Sequence, residues 1–226
     1  MVEIIFKLHI STSASHVILN YMKPFFGVLA AVINLAGYIP YSHDIFRGKV
    51  KPQRVTWGIW SILTTIAFFN LLANGGGFSS IFFGTIAGMV LLTFGLSFKY
   101  GVGGSSRFDK SLLTLSMILF LYWLFLGDRH YSTYIALTID SIGALPTLLK
   151  TATHPNTETY PQWTLAAIGA VFSIAALGNY ALIALVYPLY VLLMNLLVVS
   201  TKWTAEHTKV FKLLARQLAV YMRADK

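Results

Sequence analysis

Seven apolar runs of bilayer-spanning length dominate this sequence and restrict the folds that the chain can adopt. A membrane-crossing helix needs about 20 mainly apolar residues, and polar or charged turn segments separate most of the runs. Because the bilayer interior lacks water, a crossing segment must satisfy its own backbone hydrogen bonds as a helix. We therefore predict an all-α integral membrane protein with seven transmembrane helices. The predicted spans cover residues 25–46, 56–73, 79–98, 111–127, 131–150, 162–178 and 181–201.

The composition supports a bilayer as the main solvent. Apolar residues make up 56% of the chain and charged residues 11%, whereas soluble domains carry about 25% charged residues. The net charge of +9 comes from basic residues between the apolar runs and at the C-terminus, a placement that indicates membrane orientation and not nucleic-acid binding. The absence of cysteine excludes disulfides, thiolate catalysis and cysteine-based metal sites.

The distribution of basic residues predicts the orientation. With the N-terminus outside and seven crossings, 14 Lys and Arg residues fall on the inner side, and only Lys7, Lys23 and Arg129 fall on the outer side. This asymmetry follows the positive-inside rule. We expect a protein integral to the cell (plasma or inner) membrane, with a cytoplasmic C-terminus.

An internal repeat relates the first and fifth predicted spans. The first contains Asn34-Leu-Ala-Gly37-Tyr-Ile-Pro40, and the fifth contains Asp140-Ser-Ile-Gly143-Ala-Leu-Pro146. Each motif is followed by a polar loop, a Pro-Gln pair (Pro52-Gln53 and Pro161-Gln162), a nearby Trp and another apolar span. Four crossings separate the two helices, so they run in the same direction. The pattern predicts two parallel three-helix repeats joined by a linker helix.

This plan resembles the PQ-loop superfamily, which includes the SWEET sugar transporters. The resemblance covers residues 28–201 and lies in the 3+1+3 arrangement, the outside N-terminus and the paired Gly-x-x-Pro helices. In that family the Pro-Gln pair sits at the helix proline, whereas here Tyr41 follows Pro40 and Thr147 follows Pro146. The resemblance implies a related fold and a transport function, without defining the substrate.

The repeat divides the chain into five segments. They are an outside N-terminal stretch, 1–24; a first three-helix repeat, 25–98; a linker-helix region, 99–130; a second repeat, 131–202; and a basic amphipathic tail, 203–226. We expect the tail to be either an amphipathic helix on the anionic inner leaflet or a solvated, partly helical segment.

Asp140 is the leading candidate for a functional polar group. It is an acidic residue well inside an apolar run, where a charged side chain costs about 2.5–3.5 kcal/mol on insertion scales and usually faces a cavity or a partner. Its repeat counterpart Asn34 is also polar, so we expect both to line a substrate pathway and to face each other near the membrane midplane. The alternative is that Asp140 bonds helices together.

The Gly-x-x-Pro motifs are candidate hinges. A proline inside a helix removes a hydrogen bond and permits a kink, and Gly37, Pro40, Gly143 and Pro146 occupy matching places in the two repeats. We expect them to gate the pathway. The alternative is passive kinking, because prolines are tolerated in membrane helices.

Four further residues are candidate substrate contacts. Trp57 and Trp60 lie on neighbouring faces of the second span and could stack on a sugar or nucleoside, although their position just inside the inner boundary favours an interfacial aromatic belt. Asn70 and Asn195 could hydrogen-bond a solute. They could equally bridge helices, at about 0.6 kcal/mol.

Together these features predict a secondary transporter or facilitator of a small polar solute, such as a sugar, nucleoside, vitamin or amino acid. Proton coupling through Asp140 would fit this function. The rival is a non-transporting receptor, sorting or assembly protein with the same fold. We expect no enzyme activity, cofactor or metal site, and a homo-oligomer is compatible with the pattern. The partners are then the solute and the bilayer, and not nucleic acid.

Overall fold

A computed structural model shows a helical protein in which the described residues contain no β-strand. The structure describes the backbone of residues 2–73, 77–126, 129–177 and 182–224, and most side chains from residue 21 onward. A single 3₁₀ turn, Pro155–Thr157, lies between α5 and α6. The helices are α1 Val2–Phe46, α2 Arg54–Ala73, α3 Gly77–Tyr100, α4 Arg107–Leu126, α5 Arg129–Thr153, α6 Tyr160–Ala175, α7 Leu182–His207 and α8 Lys209–Ala224.

Each of the seven predicted apolar runs coincides with one helix from α1 to α7. Among the described residues, four helical stretches are long and apolar enough to cross a membrane. The all-α fold and its membrane character therefore agree with the sequence, whereas the crossing of all seven helices stays a prediction. The four stretches are Tyr21–Phe46, Arg107–Phe125, Thr133–Thr153 and Leu185–His207.

Helix α1 is longer than the predicted first span. It begins at Val2 and continues through Pro24 and Pro40 to Phe46. The boundary expected after residue 24 is therefore not a break in secondary structure, because residues 2–23 contain neither Gly nor Pro to interrupt a helix. The junction between the sixth and seventh predicted spans, residues 178–181, lies outside the described residues.

The contacts made by α1–α3 resemble those made by α5–α7. Helix α1 packs on α3 and α6, and helix α5 packs on α7 and α2. Helix α2 also packs on α3, as α6 does on α7. Helix α4 lies against α5 and α2. The bundle thus joins α1–α3 to α5–α7 mainly through the α1–α6 and α2–α5 contacts.

Three connections meet at one end of the bundle. Between the α1–α2 and α3–α4 connections, Arg54 N donates to Val102 O over 2.9 Å and Val102 N donates to Pro52 O over 2.9 Å. Between the α1–α2 and α5–α6 connections, Lys51 N donates to Thr157 O over 3.1 Å. Since the connections after α1, α3 and α5 share this end, consecutive helices run in alternating directions.

Arg54 closes the C-terminal end of α3. Its guanidinium donates to four carbonyl oxygens, those of Ser97 at 2.9 Å, Gly103 at 2.8 Å, Gly101 at 3.0 Å and Phe98 at 3.4 Å. The last carbonyls of a helix have no partner within the helix and interact favourably with a cation. Arg54 therefore has a structural role at this end.

The first Pro-Gln pair is also structural. Gln53 Oε1 accepts hydrogen bonds from Val55 N at 2.7 Å and Thr56 N at 3.2 Å, the first free amides of α2. Its Nε2 donates to Asp109 Oδ1 at the start of α4, over 3.0 Å. Gly103 lies against the same amide with φ +81°, where a β-carbon would collide with Gln53 Nε2. Gln53 thus caps α2 and holds α4.

The C-terminal tail forms α8, which contacts α5, α7 and α4. Part of its apolar side is exposed, namely Val210, Leu213, Leu214 and Val220. Residues 203–207 of the predicted tail continue α7, and Lys209–Ala224 form the separate helix α8. Its placement on the inner leaflet stays a prediction.

Candidate functional site

A cavity of about 540 Å³ lies in the bundle and is lined by side chains from α1, α2, α3, α5, α6 and α7. Neither α4 nor α8 contributes a described lining residue. Small-molecule sites in proteins measure about 300–1,000 Å³ and combine mainly apolar walls with a few polar groups. The cavity therefore has the size and the wall composition of a small-molecule site.

The structure brings five of the six predicted substrate contacts to this one cavity. They come from four different helices and are far apart in the sequence. The side chain of the sixth, Asn70, lies outside the described residues. The five that line the cavity are Asn34 on α1, Trp57 and Trp60 on α2, Asp140 on α5 and Asn195 on α7.

Asp140 supplies the cavity with an acidic group. The residue is only 8% exposed, and the side chains of Trp60 on α2 and Tyr190 on α7 lie near its carboxyl group. Ser141 donates to Tyr190 Oη over 3.3 Å, which helps to fix the phenol beside the carboxyl. Asp140 lines the cavity between helices, and its choice between a substrate contact and a helix-bonding residue stays a prediction.

Asn34 and Asn195 add amide groups to the cavity lining. The Nδ2 of Asn34 donates to Ala30 O over 3.0 Å, and the Nδ2 of Asn195 donates to Val191 O over 2.7 Å. Each amide nitrogen thus uses one N–H on the preceding turn of its own helix, and the second N–H and Oδ1 are not used in that bond. Neither side chain bridges to another helix among the described residues. The mutual facing of Asn34 and Asp140 stays a prediction, although both line the same cavity.

A group of three indole rings forms part of the wall. The ring centroids of Trp57 and Trp60 are 5.5 Å apart, and those of Trp163 on α6 lie 6.5 Å and 6.1 Å from them. Trp57 is 1% exposed and Trp163 is 4% exposed. The interfacial-belt interpretation of Trp57 and Trp60 does not fit this placement, because belt residues face lipid headgroups and these rings face the interior. Trp203, at 56% exposed, does fit a belt.

Five aromatic or amide residues line the cavity although they were not predicted as contacts. Three of them stand inside the repeated pattern, in the Asn-x-x-Gly-x-x-Pro motif or at the Pro-Gln pair and its nearby Trp, so that pattern carried a signal for them. Tyr187 and Tyr190 carried none beyond being aromatic. The five are Tyr38 on α1, Gln162 and Trp163 on α6, and Tyr187 and Tyr190 on α7.

Several polar atoms at this wall are buried without a hydrogen-bond partner among the described residues. They are Trp57 Nε1, Trp60 Nε1 and Gln162 Oε1, and Trp60 Nε1 lies close to the Asp140 carboxyl without reaching hydrogen-bonding geometry. An unsatisfied buried group costs about 1–3 kcal/mol. These atoms have almost no accessible surface, so a bound solute would reach them only after the wall rearranged.

The four predicted hinge residues do not line the cavity. The glycines lie where helices from opposite three-helix sets cross: a β-carbon on Gly37 would lie 3.0 Å from Gln162 Oε1, and one on Gly143 would lie 3.0 Å from Ile59. Helices α1 and α5 continue through Pro40 and Pro146. Pro40 is exposed and Pro146 is buried.

A buried ion pair adjoins the indole group. Lys150 on α5 pairs with Glu158, which precedes α6, and the side chains are 7% and 0% exposed. Glu158 also accepts from Trp163 Nε1 at 3.0 Å and from Tyr41 Oη at 3.3 Å. Lys150 is the last residue of the predicted fifth span, and tertiary contacts with the connection before α6 bury it.

Lys202 on α7 is buried in the same way. Its Nζ donates to Pro155 O over 2.8 Å and pairs with Glu206 at 2.6 Å. Glu206 also accepts a hydrogen bond from Tyr160 Oη. Both buried lysines are thus satisfied at the end of the bundle and do not enter the cavity.

The described residues offer no group of three or more His, Cys, Asp or Glu that could hold a metal ion. Comparisons of the chain with known protein families, with curated proteins and with solved structures found no match. The resemblance to the PQ-loop superfamily therefore rests on the sequence motifs alone.

Proposed function

We propose that this chain is a secondary transporter or facilitator that carries a small solute through a membrane by alternating access. The observation that supports this most is the central cavity, in which Asn34, Asp140 and Asn195 meet an indole wall inside an otherwise apolar bundle. Polar groups at membrane depth usually mark a substrate or ion pathway. Asp140 would bind the solute or a coupling proton.

The outer surface supports a bundle embedded in lipid. Large apolar side chains are exposed on several helices, for example Phe98 at 65%, Phe125 at 85% and Leu193 at 64%. A soluble monomer rarely exposes large apolar patches. The alternating helix directions would place the ends of α1–α7 on opposite sides in turn, which agrees with seven crossings and an outside N-terminus.

The packing pairs support the two-repeat plan. If α1, α2 and α3 correspond to α5, α6 and α7, the α1–α3, α2–α3 and α1–α6 contacts each have a counterpart, namely α5–α7, α6–α7 and α5–α2. Such an exchange is what two parallel repeats related by an axis along the membrane normal would produce. A divergent relationship to the PQ-loop and SWEET-like proteins is part of the proposal.

Alternating access would use the contacts between the two repeats. Gly37 and Gly143 allow α1 and α5 to approach helices of the opposite repeat closely, and Pro40 and Pro146 interrupt the hydrogen bonds of the same two helices. We assign these four residues to gating, with the cavity opening to one side of the membrane at a time.

The rival function is a receptor, sorting or assembly protein that binds a ligand without moving it. The receptors of this plan that retrieve lumenal proteins need a basic pocket. The described residues that line this cavity include no Lys, Arg or His, which favours transport over that form of the rival.

A ligand screen on the purified protein tests the proposed site. Sugars, nucleosides, amino acids and vitamins are tested for thermal stabilisation at two pH values, with Asp140→Asn beside the wild type. Asp44→Asn is the matched control, because Asp44 is a partly exposed residue that pairs with Lys49 at 3.8 Å. A ligand that stabilises the wild type and Asp44→Asn but not Asp140→Asn supports the site. Equal stabilisation of all three proteins by every ligand contradicts it.

A further inference from the structure

The described lining of the cavity carries an acidic side chain and no basic one. Asp140 is the single carboxylate among the described lining residues, and the same set contains no Lys, Arg or His. The buried cations of the bundle, Lys150 and Lys202, are already paired with Glu158 and Glu206. No basic side chain of the described bundle is therefore available to neutralise Asp140.

A carboxylate in this environment needs a counter-charge. Removing an ionised carboxylate from water costs several kcal/mol even after relaxation, and such groups otherwise neutralise by taking a proton. Because no described residue of the cavity lining supplies a cation, the negative charge of Asp140 is balanced either by a proton or by a cationic ligand. An anionic solute would meet an unbalanced negative charge instead.

The aromatic rings of the wall suit a cation with an apolar body. A cation within about 6 Å of the face of a Trp or Tyr ring is attracted by the ring quadrupole, most strongly when both are removed from water. Three indoles and three phenols line this cavity, and the Trp60 and Tyr190 side chains lie beside the Asp140 carboxyl. The phenols are those of Tyr38, Tyr187 and Tyr190, and the indoles those of Trp57, Trp60 and Trp163.

We propose that the solute is a monovalent organic cation, an amine or quaternary ammonium compound with an apolar body, which exchanges with a proton at Asp140. This inference rests on the proposed transport function and names its substrate class. The protonated carboxyl releases one proton to water as one cation enters, so an Asp140 carboxylate and its bound cation replace the neutral acid. Charge balances, and the exchange makes transport an antiport of cation and proton.

Asp140 is the group that titrates in this exchange. The other titratable side chains that face it are phenols, from Tyr187 and Tyr190 on α7, and Tyr38 on α1 lines the same cavity. Trp60 faces it from α2 and does not titrate. Helices α4 and α8 also pack on α5 but place no described side chain in the cavity.

An isosteric pair of probes tests the inference. Choline and 3,3-dimethylbutan-1-ol have nearly the same shape and differ by the positive charge, and phenyltrimethylammonium adds an aromatic body. Binding of each probe to the purified wild type, Asp140→Asn, Asp140→Glu and Asp44→Asn is measured by tryptophan fluorescence between about pH 5 and pH 8. We expect the cations to bind the wild type at least about tenfold more tightly than the alcohol. Their Kd should fall as pH rises, by at most about tenfold per pH unit.

The variants separate charge from folding. In Asp140→Asn the preference for cations and the pH dependence should disappear while the alcohol still binds, which shows that the cavity is intact. Asp140→Glu should retain both properties, as should Asp44→Asn. Equal affinity of the wild type for choline and the alcohol at every pH overturns the cation assignment and leaves transport of a neutral solute standing. Cation binding of the expected kind without flux in liposomes would uphold the ligand class and overturn transport.

Discussion

Lys150 on α5 and Glu158 in the connection before α6 form an ion pair whose side chains are 7% and 0% exposed. Lys150 Nζ also donates to Lys51 O over 2.7 Å, so the pair holds α5 against the α1–α2 and α5–α6 connections. Removing one partner of a buried pair leaves an uncompensated charge and costs about 3–5 kcal/mol.

Lys150→Met should therefore destabilise the protein by about 3–5 kcal/mol, measured by denaturant unfolding in detergent. Lys49→Met is the matched control, because Lys49 is exposed and pairs with Asp44 at 3.8 Å, and surface pairs contribute about 0–1 kcal/mol. Equal losses in the two variants would contradict the assigned structural role of Lys150.

Replacing Gly169 should weaken ligand binding through Asn34. A β-carbon on Gly169 would collide with Asn34 Nδ2 and lie 3.3 Å from Ala30 O, so Gly169→Ala must displace the amide that lines the cavity. We expect about a tenfold loss of affinity, or 1.4 kcal/mol, for the best ligand of the thermal screen. Gly88→Ala is the control, because a β-carbon there meets nothing within 4 Å. Unchanged affinity in Gly169→Ala would remove Asn34 from the site.

Loss of the Arg54 guanidinium should destabilise the C-terminal end of α3 and lower the free energy of unfolding. Arg54→Met removes charge-assisted hydrogen bonds to four carbonyls, and bonds of this kind contribute about 1.5–3 kcal/mol. We expect a stability loss of at least about 2 kcal/mol by the same unfolding assay. Arg47→Met, at an exposed position after α1, should change little. A similar small effect at Arg54 would show that α3 does not depend on this cap.

Much of the helical layout could be predicted from the sequence, because spans of bilayer length separated by polar turns indicate their own positions. Asn34 and Asp140 emerged from the repeated motif, and the structure brings both to one cavity. The burial of Trp57 against Trp163 of α6 could not be predicted in this way. Hydropathy indicates how deep a residue lies in the membrane, but not which helix its side chain contacts. That contact depends on where α6 packs, which only the tertiary structure determines.

The two Pro-Gln pairs show the same limit. They occupy equivalent places in the sequence repeat. Gln53 caps α2 and binds Asp109. Gln162 Oε1, in contrast, has no hydrogen-bond partner among the described residues at the cavity wall. The difference arises from the neighbours of each pair, α4 for the first and Gly37 of α1 for the second. A repeated motif therefore predicted a position but not a role.

The membrane orientation can be tested because the chain contains no cysteine, so a single introduced thiol is the only target for a labelling reagent. Tyr21→Cys lies at an exposed position near the start of the first apolar span and Arg47→Cys lies after its end. A membrane-impermeant maleimide should label Tyr21→Cys in intact cells and Arg47→Cys only after permeabilisation. Labelling of both from the same side would contradict the crossing of α1.

Flux measured in proteoliposomes tests the central claim most directly. Liposomes containing the wild type, Asp140→Asn or no protein are loaded with the strongest ligand of the screen, and its release is followed with and without a pH gradient. We predict that the wild type releases the solute faster than empty liposomes and responds to the gradient. Asp140→Asn should lose the pH-dependent part while remaining folded. If the wild type releases a bound ligand no faster than empty liposomes, the protein binds without transporting. If flux in Asp140→Asn responds to pH as in the wild type, the coupling role of Asp140 is wrong.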